Sequence, residues 1–85
     1  MPKTVKYSRQ ALRTLERIDR VTSKRIRAKV RQLASDPQAL ANNVTALKGE
    51  NGVMRLRVGD WRVIYTEDLV VLMVIRVAPR SSAYE

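Results

Sequence analysis

An α+β fold, a small antiparallel sheet backed by an N-terminal helical hairpin in the order β-α-α-β-β-β, follows from three features of the chain. Apolar residues recur at helical spacing as far as Asp36-Pro37, then at a two-residue period from Val44 onward. Gly59-Asp60 interrupts two alternating stretches, the pattern of a tight β-hairpin. With 85 residues the chain is too short to divide into halves that each bury a core, so residues 1–85 form a single domain.

The elements follow in order. Lys3 to Tyr7 alternates polar and apolar, with Val5 and Tyr7 on one side, and predicts a short strand. Ser8 is suited to cap a helix over roughly residues 9–20, with Ala11, Leu12, Leu15 and Ile18 on its inner stripe. Thr22 or Ser23 is suited to cap a second helix that turns Ile26, Val30 and Leu33 inward and stops at Asp36-Pro37. The short link between the helices predicts an antiparallel hairpin. Met54 to Val58 and Trp61 to Thr66 alternate around Gly59-Asp60, where glycine at the first turn position suits a type II′ turn. Glu67-Asp68 turns the chain into Leu69 to Val77, a stretch apolar on both faces until Arg76 and therefore expected inside the sheet. An extra strand near Val44 to Leu47 completes the expectation.

Composition narrows the function. Seventeen lysines and arginines stand against eight carboxylates, a formal charge of +9 that attracts polyanions: nucleic acid, an acidic protein segment or an anionic membrane. Membrane is the weakest of these, because the most apolar run, Leu69 to Ile75, is too short to span a bilayer. The first residues lack the apolar stretch of a signal peptide, so a cytoplasmic location is expected. The absence of cysteine and histidine removes disulfides, thiolate metal sites and the commonest general base. No cofactor or metal is expected, and any chemistry falls to Arg, Lys, Tyr or a carboxylate.

A two-residue turn sets the hairpin register: Val58 opposite Trp61, Arg57 opposite Arg62, Leu56 opposite Val63 and Arg55 opposite Ile64. Alternation then puts Arg55, Arg57 and Arg62 on one face, and Met54, Leu56, Val58, Trp61, Val63 and Tyr65 on the other. Arg57 across from Arg62 is a repulsive pair for which folding has no need, whereas an anion between them would turn repulsion into affinity. The plain alternative is three solvated, salt-screened arginines. On either reading Arg62→Ala is expected to leave the melting temperature unchanged or slightly raised. Trp61, on the apolar face, is expected to be structural. The helical charges Arg9, Arg13, Arg17, Lys24, Arg27 and Arg31 fit an ordinary solvated outer face, with a landing surface for rRNA or an acidic partner as the functional alternative.

Met54-Arg-Leu-Arg-Val-Gly-Asp-Trp-Arg-Val-Ile-Tyr65 resembles the central hairpin of the RelE/ParE toxin superfamily, where "R-V-G-D-Y-R-V-I-Y" is a common form. Leu47-Lys48-Gly49 resembles the "L-x-G" step ahead of it, and Val77-Ala-Pro-Arg80-Ser-Ser-Ala-Tyr84 resembles the closing "V-G-H-R-x-x-x-Y". The resemblance covers nearly the whole chain. It implies a toxin of a type II toxin–antitoxin system, a ribosome-dependent mRNA endoribonuclease that cuts translated mRNA in the A site and is neutralised by an acidic antitoxin. Carried over by position, Arg55, Arg57 and Arg62 hold and polarise the phosphate. Arg80 stabilises charge at the cleaved bond, Tyr84 orients RNA or moves a proton, and Lys48 is a looser substrate-binding match.

RNA cleavage needs the 2′-hydroxyl deprotonated, the phosphorane charge stabilised and the 5′-oxygen protonated. Clustered arginines serve the second need and are poor bases, which leaves Tyr84 as the proton carrier if its neighbours depress its pKa. Alignment of the mRNA by the ribosome would offset so spare a site. Pro79 stands where many members carry histidine, so one candidate acid/base is missing. The alternatives are a ParE-like DNA gyrase inhibitor without nuclease activity, a catalytically weak family member, and a nucleic-acid-binding module without toxicity.

Overall fold

The computed structural model describes residues 2–80; the predicted site residue Tyr84 lies outside them. The elements are β1 (Thr4–Tyr7), α1 (Arg9–Arg17), α2 (Arg20–Ser35), a 3-10 segment (Pro37–Asn43), β2 (Val44–Ala46), β3 (Val53–Val58), β4 (Trp61–Glu67) and β5 (Val71–Pro79). The expected order holds, the extra strand before the hairpin included. Strands lie in the order β1-β5-β4-β3-β2. All neighbours are antiparallel except β1 and β5, which run parallel with Val5 beside Leu72 and Tyr7 beside Val74. The sheet is therefore mixed rather than wholly antiparallel. A parallel neighbour requires a crossover, and α1 and α2 belong to the chain that supplies it.

Ser8 caps α1 as expected, its hydroxyl oxygen accepting from the Ala11 N–H at 3.1 Å. Its O–H donates in turn to the carbonyl of Ile75, the residue at which the β4–β5 register shifts. The shift has a packing purpose. Val74 pairs with Tyr65 and Val77 with Val63, so two residues at odd spacing both face the core. The second helix starts earlier than expected: Asp19, not Thr22 or Ser23, is its N-cap, accepting from Thr22 N–H at 2.9 Å. That hydrogen bond holds the Asp19 carboxyl below the usual range.

Ala11, Leu15, Ile26, Val30 and Leu33 bring the helices onto Leu56, Val63, Tyr65, Leu72, Val74 and Val77, all buried. Leu12 is left largely exposed, and Ile18 sits at the α1 C-cap, only partly buried. Trp61 is half-buried and packs on the same cluster, in keeping with a structural role. Leu69 and Val70, expected to open the last strand, are instead 94% and 65% exposed in the turn that precedes it. Asp68 Oδ1 organises that turn by accepting from Val70 and Val71 N–H, both at 2.7 Å.

Candidate functional site

The face of the sheet away from the helices carries two rows of side chains. One runs Thr45, Arg55, Ile64, Arg76 across β2 to β5; the other runs Arg57, Arg62, Ala78 across β3 to β5. The expected hairpin register is observed at every pair, with Arg57 directly opposite Arg62. Gly59 takes φ +59° while Asp60 stays on the ordinary side, the arrangement of a type II′ turn. Any Cβ on Gly59 would meet the Arg25 guanidinium of α2 at 3.6 Å.

Arg55, Arg57, Arg62 and Arg80 converge on a cleft of about 290 Å³ whose other lining residues are Asn42, Asn43 and Thr45. Four of the six residues singled out in the sequence therefore meet in one place. Lys48 does not: it sits exposed in the turn between β2 and β3, outside the lining. Asn42, Asn43 and Thr45 escaped the sequence reading, because nothing in a polar pair after a proline-led turn signals which face it joins. A larger, shallower groove of about 620 Å³ lies where α1 meets α2, lined by Leu15, Ile18, Ser23 and Arg27 among others. None of the predicted site residues reaches it.

Arg62 departs from expectation. It is 7% exposed, and its Nη1 donates to the carbonyls of Gly59 at 3.2 Å and Trp61 at 3.1 Å. The plain alternative of a solvated Arg62 does not hold, and its two contacts with the turn weigh against the expectation that Arg62→Ala leaves the melting temperature unchanged. The reason is its strand: β4 is flanked on both sides, by β3 and β5, so neighbouring side chains cover what alternation alone would leave open. Neither of these partners is a carboxylate, so among the described residues the buried cation is met by carbonyl dipoles. Arg80 is tied to the same turn, its N–H donating to Asp60 carbonyl at 2.8 Å. The hairpin turn thus holds Arg62 by its side chain and Arg80 by its backbone. Ala78, the β5 partner of Arg62, contributes only a methyl group beside it.

This arrangement brings four guanidinium groups, that of Arg62 held by turn carbonyls, to one small volume, a donor set suited to a phosphate or a phosphorane. Proton transfer is another matter. Among the described residues, Tyr7 and Tyr65 are held above the usual phenol range by burial, and Tyr65 is pushed up to about 12, so neither is a poised base. Both lie on the core side, away from the cleft. Tyr7 also receives Arg27 over its ring, 5.6 Å from the centroid, which joins one of the helical charges to the core rather than to open solvent. Among the described residues, no cluster of carboxylates suited to a metal occurs, and no helix is long and apolar enough to cross a membrane.

Comparison with known proteins assigns the class. Residues 5–84 match the family described as "ParE toxin of type II toxin-antitoxin system, parDE". The chain belongs to this toxin family, within the RelE/ParE superfamily. Among solved structures it is similar to the archaeal RelE-RelB complex from Pyrococcus horikoshii OT3, at 26% identity and TM-score 0.79, over 98% of this chain and 100% of that one. It is also similar to the RelBE2 toxin–antitoxin complex of Mycobacterium tuberculosis, at 26% identity and TM-score 0.65, over 94% and 100% of the two chains. A variant of the E. coli toxin RelE in the free state shares the fold at 18% identity and TM-score 0.78, over 99% and 90%. No curated protein matches the chain.

Proposed function

We propose that this toxin is a ribosome-dependent mRNA endoribonuclease. The observation that carries the reading is the convergence of Arg55, Arg57, Arg62 and Arg80 on one cleft, with Arg62 buried and, among the described residues, hydrogen-bonded to carbonyls rather than to a carboxylate. In this reading Arg57 and Arg62 seat the scissile phosphate from adjacent strands, and Arg55 extends the seat. The 2′-hydroxyl attacks phosphorus, a cyclic phosphate forms and the 5′-oxygen departs with a proton. Arg80 offsets charge on the leaving oxygen, and Tyr84 is the candidate proton carrier. The surrounding arginines cannot serve as bases, so alignment of mRNA in the ribosome supplies much of the rate. Lys48, remote from the cleft lining, would touch RNA only beyond the reacting bond.

A second reading, ParE-like inhibition of DNA gyrase, is favoured by the family description that the chain matches. Primer extension on a translated mRNA with purified protein and ribosomes separates the two. Discrete cuts within codons are expected. Halted DNA supercoiling with intact mRNA would instead select gyrase. An acidic antitoxin is the proposed cytoplasmic partner: the charge is +9, and two of the similar structures are toxin–antitoxin complexes. Its on-rate should fall steeply with salt.

A further inference from the structure

We infer that Asn43, with Asn42 beside it, reads the nucleobase next to the phosphate held by the arginines and so sets which mRNA positions are cut. The inference rests on the nuclease reading above and names the part of the substrate that the uncharged lining residues of the same cleft would recognise.

The cleft lining is of two chemical kinds: the guanidinium groups of Arg55, Arg57, Arg62 and Arg80, and the amide and hydroxyl groups of Asn42, Asn43 and Thr45. Val44 pairs with Leu56 on the core side and Thr45 with Arg55 on the open side. Continuing that register, Asn43 comes alongside Arg57, in line with the row that ends on Arg62 and Ala78.

Folding does not explain this pair of amides. Asparagine is often chosen for a left-handed backbone, yet among the described residues only glycines have positive φ. It is often chosen as a cap, yet no side chain caps the 3-10 segment, which closes through Val44 N–H and Ala41 carbonyl. Among the described residues, the side chains of Asn42, Asn43 and Thr45 make no hydrogen bond within the protein. Within the described residues their amide and hydroxyl groups are thus available to an outside partner.

Chemistry then divides the labour. Arginine only donates, and phosphates are alike in every nucleotide, so the cationic lining positions RNA without reading it. A carboxamide offers a donor and an acceptor side by side, the combination that discriminates base edges. A cleft of about 290 Å³ has room for one nucleotide-sized group rather than a helical segment. The occupant this fits is a single unpaired RNA nucleotide, its phosphate on the arginines and its base edge on Asn43.

The test is primer extension across translated mRNAs that place each of the four bases around the cut site. It compares the wild type with Asn43→Ala, Asn43→Ser, Asn42→Ala and Arg57→Ala, with melting temperatures measured in parallel. Asn43→Ala is expected to keep total cleavage within a few-fold while flattening the preference at one base position by about tenfold. Arg57→Ala is expected to weaken all sites alike. Asn43→Ser should behave as Asn43→Ala does, which guards against a folding defect in one variant. An unchanged preference in every asparagine variant overturns the inference, as does uniform loss at all sites with unchanged melting. A wild-type protein that makes no cut on translated mRNA overturns the nuclease reading itself, and the base-reading role with it.

Discussion

The two faces of the β3–β4 hairpin are made from alternate residues of one short stretch, yet they solve different problems. On the helix side Leu56, Val63 and Tyr65 are 0%, 0% and 1% exposed, and every contact is apolar packing that folding requires. On the other side Arg57 faces Arg62, a pairing that costs stability, and the cleft above them is polar. One face is explained by the fold alone. The other carries a like-charge pair that apolar packing does not call for. Arg62 shows that the division is not between buried and exposed, since it is buried on the cleft side and held by carbonyls of the turn.

The comparison breaks most visibly at Tyr65. Tyr65→Ala removes a fully packed ring, with an expected loss of about 3–5 kcal/mol and no folded protein left to assay. Tyr65→Phe tests the same side chain more gently. Burial pushes the phenol up to about 12, above its unfolded value of 10.0, so the folded protein binds that proton more tightly. The stability this contributes is complete below pH 10 and is lost as pH rises toward 12. Alkaline unfolding should therefore be less steep in Tyr65→Phe than in the parent.

Arg57→Ala addresses the opposite face. It is expected to lower mRNA cleavage by about 100-fold, the scale for losing one preorganised charge donor. Its melting temperature should hold or rise slightly, because a cross-strand repulsion disappears. Normal cleavage in this variant would detach the arginine row from the chemistry.

Arg62→Ala sharpens the division by belonging to both sides. Cleavage should fall as in Arg57→Ala, and stability should also fall by about 1–2 kcal/mol, since two turn carbonyls lose their donor. Lys at this position should restore part of the stability and little of the activity, because a point charge lacks the planar fork. A melting temperature unchanged in Arg62→Ala would mean that the carbonyl contacts are incidental.

How much of this was legible depends on the range of each interaction. The hairpin register and the partition of its faces followed from Gly59-Asp60 and strict alternation, both local. The helix spans followed from apolar periodicity to within a few residues. Pairings set over long separations were not readable: β1 lies parallel to β5 through contacts some 67 residues apart in sequence, as between Val5 and Leu72 or Tyr7 and Val74. The register shift at Ile75 likewise depends on what Val74 and Val77 must both reach. Alternation also assigns a face but not a depth, which is why Arg62 was assigned to the right side and the wrong environment. Asn42 and Asn43 were invisible for a related reason, since only the 3-10 turn and the start of β2 bring them over the arginines.

The smallest expected effect lies far from the cleft, in the turn before β5. The Asp68 carboxyl is held below the usual range chiefly by the Val71 N–H, then by the Val70 N–H, with Lys3 assisting. Because the folded value is depressed, the stability it contributes is present above the unfolded carboxylate range and is lost as pH falls through the folded value. Asp68→Asn keeps an acceptor oxygen for both N–H groups and removes only the charge. It should therefore lower the melting temperature slightly near neutrality, where the charge contributes, while flattening the acid limb of the stability curve. Asp68→Ala, which removes the acceptor as well, should lower stability at every pH. Equal behaviour of the two variants would show that charge, not turn geometry, is what Asp68 provides. With Leu69 and Val70 so exposed, there is little apolar packing at this turn to hold the chain if the carboxylate is lost.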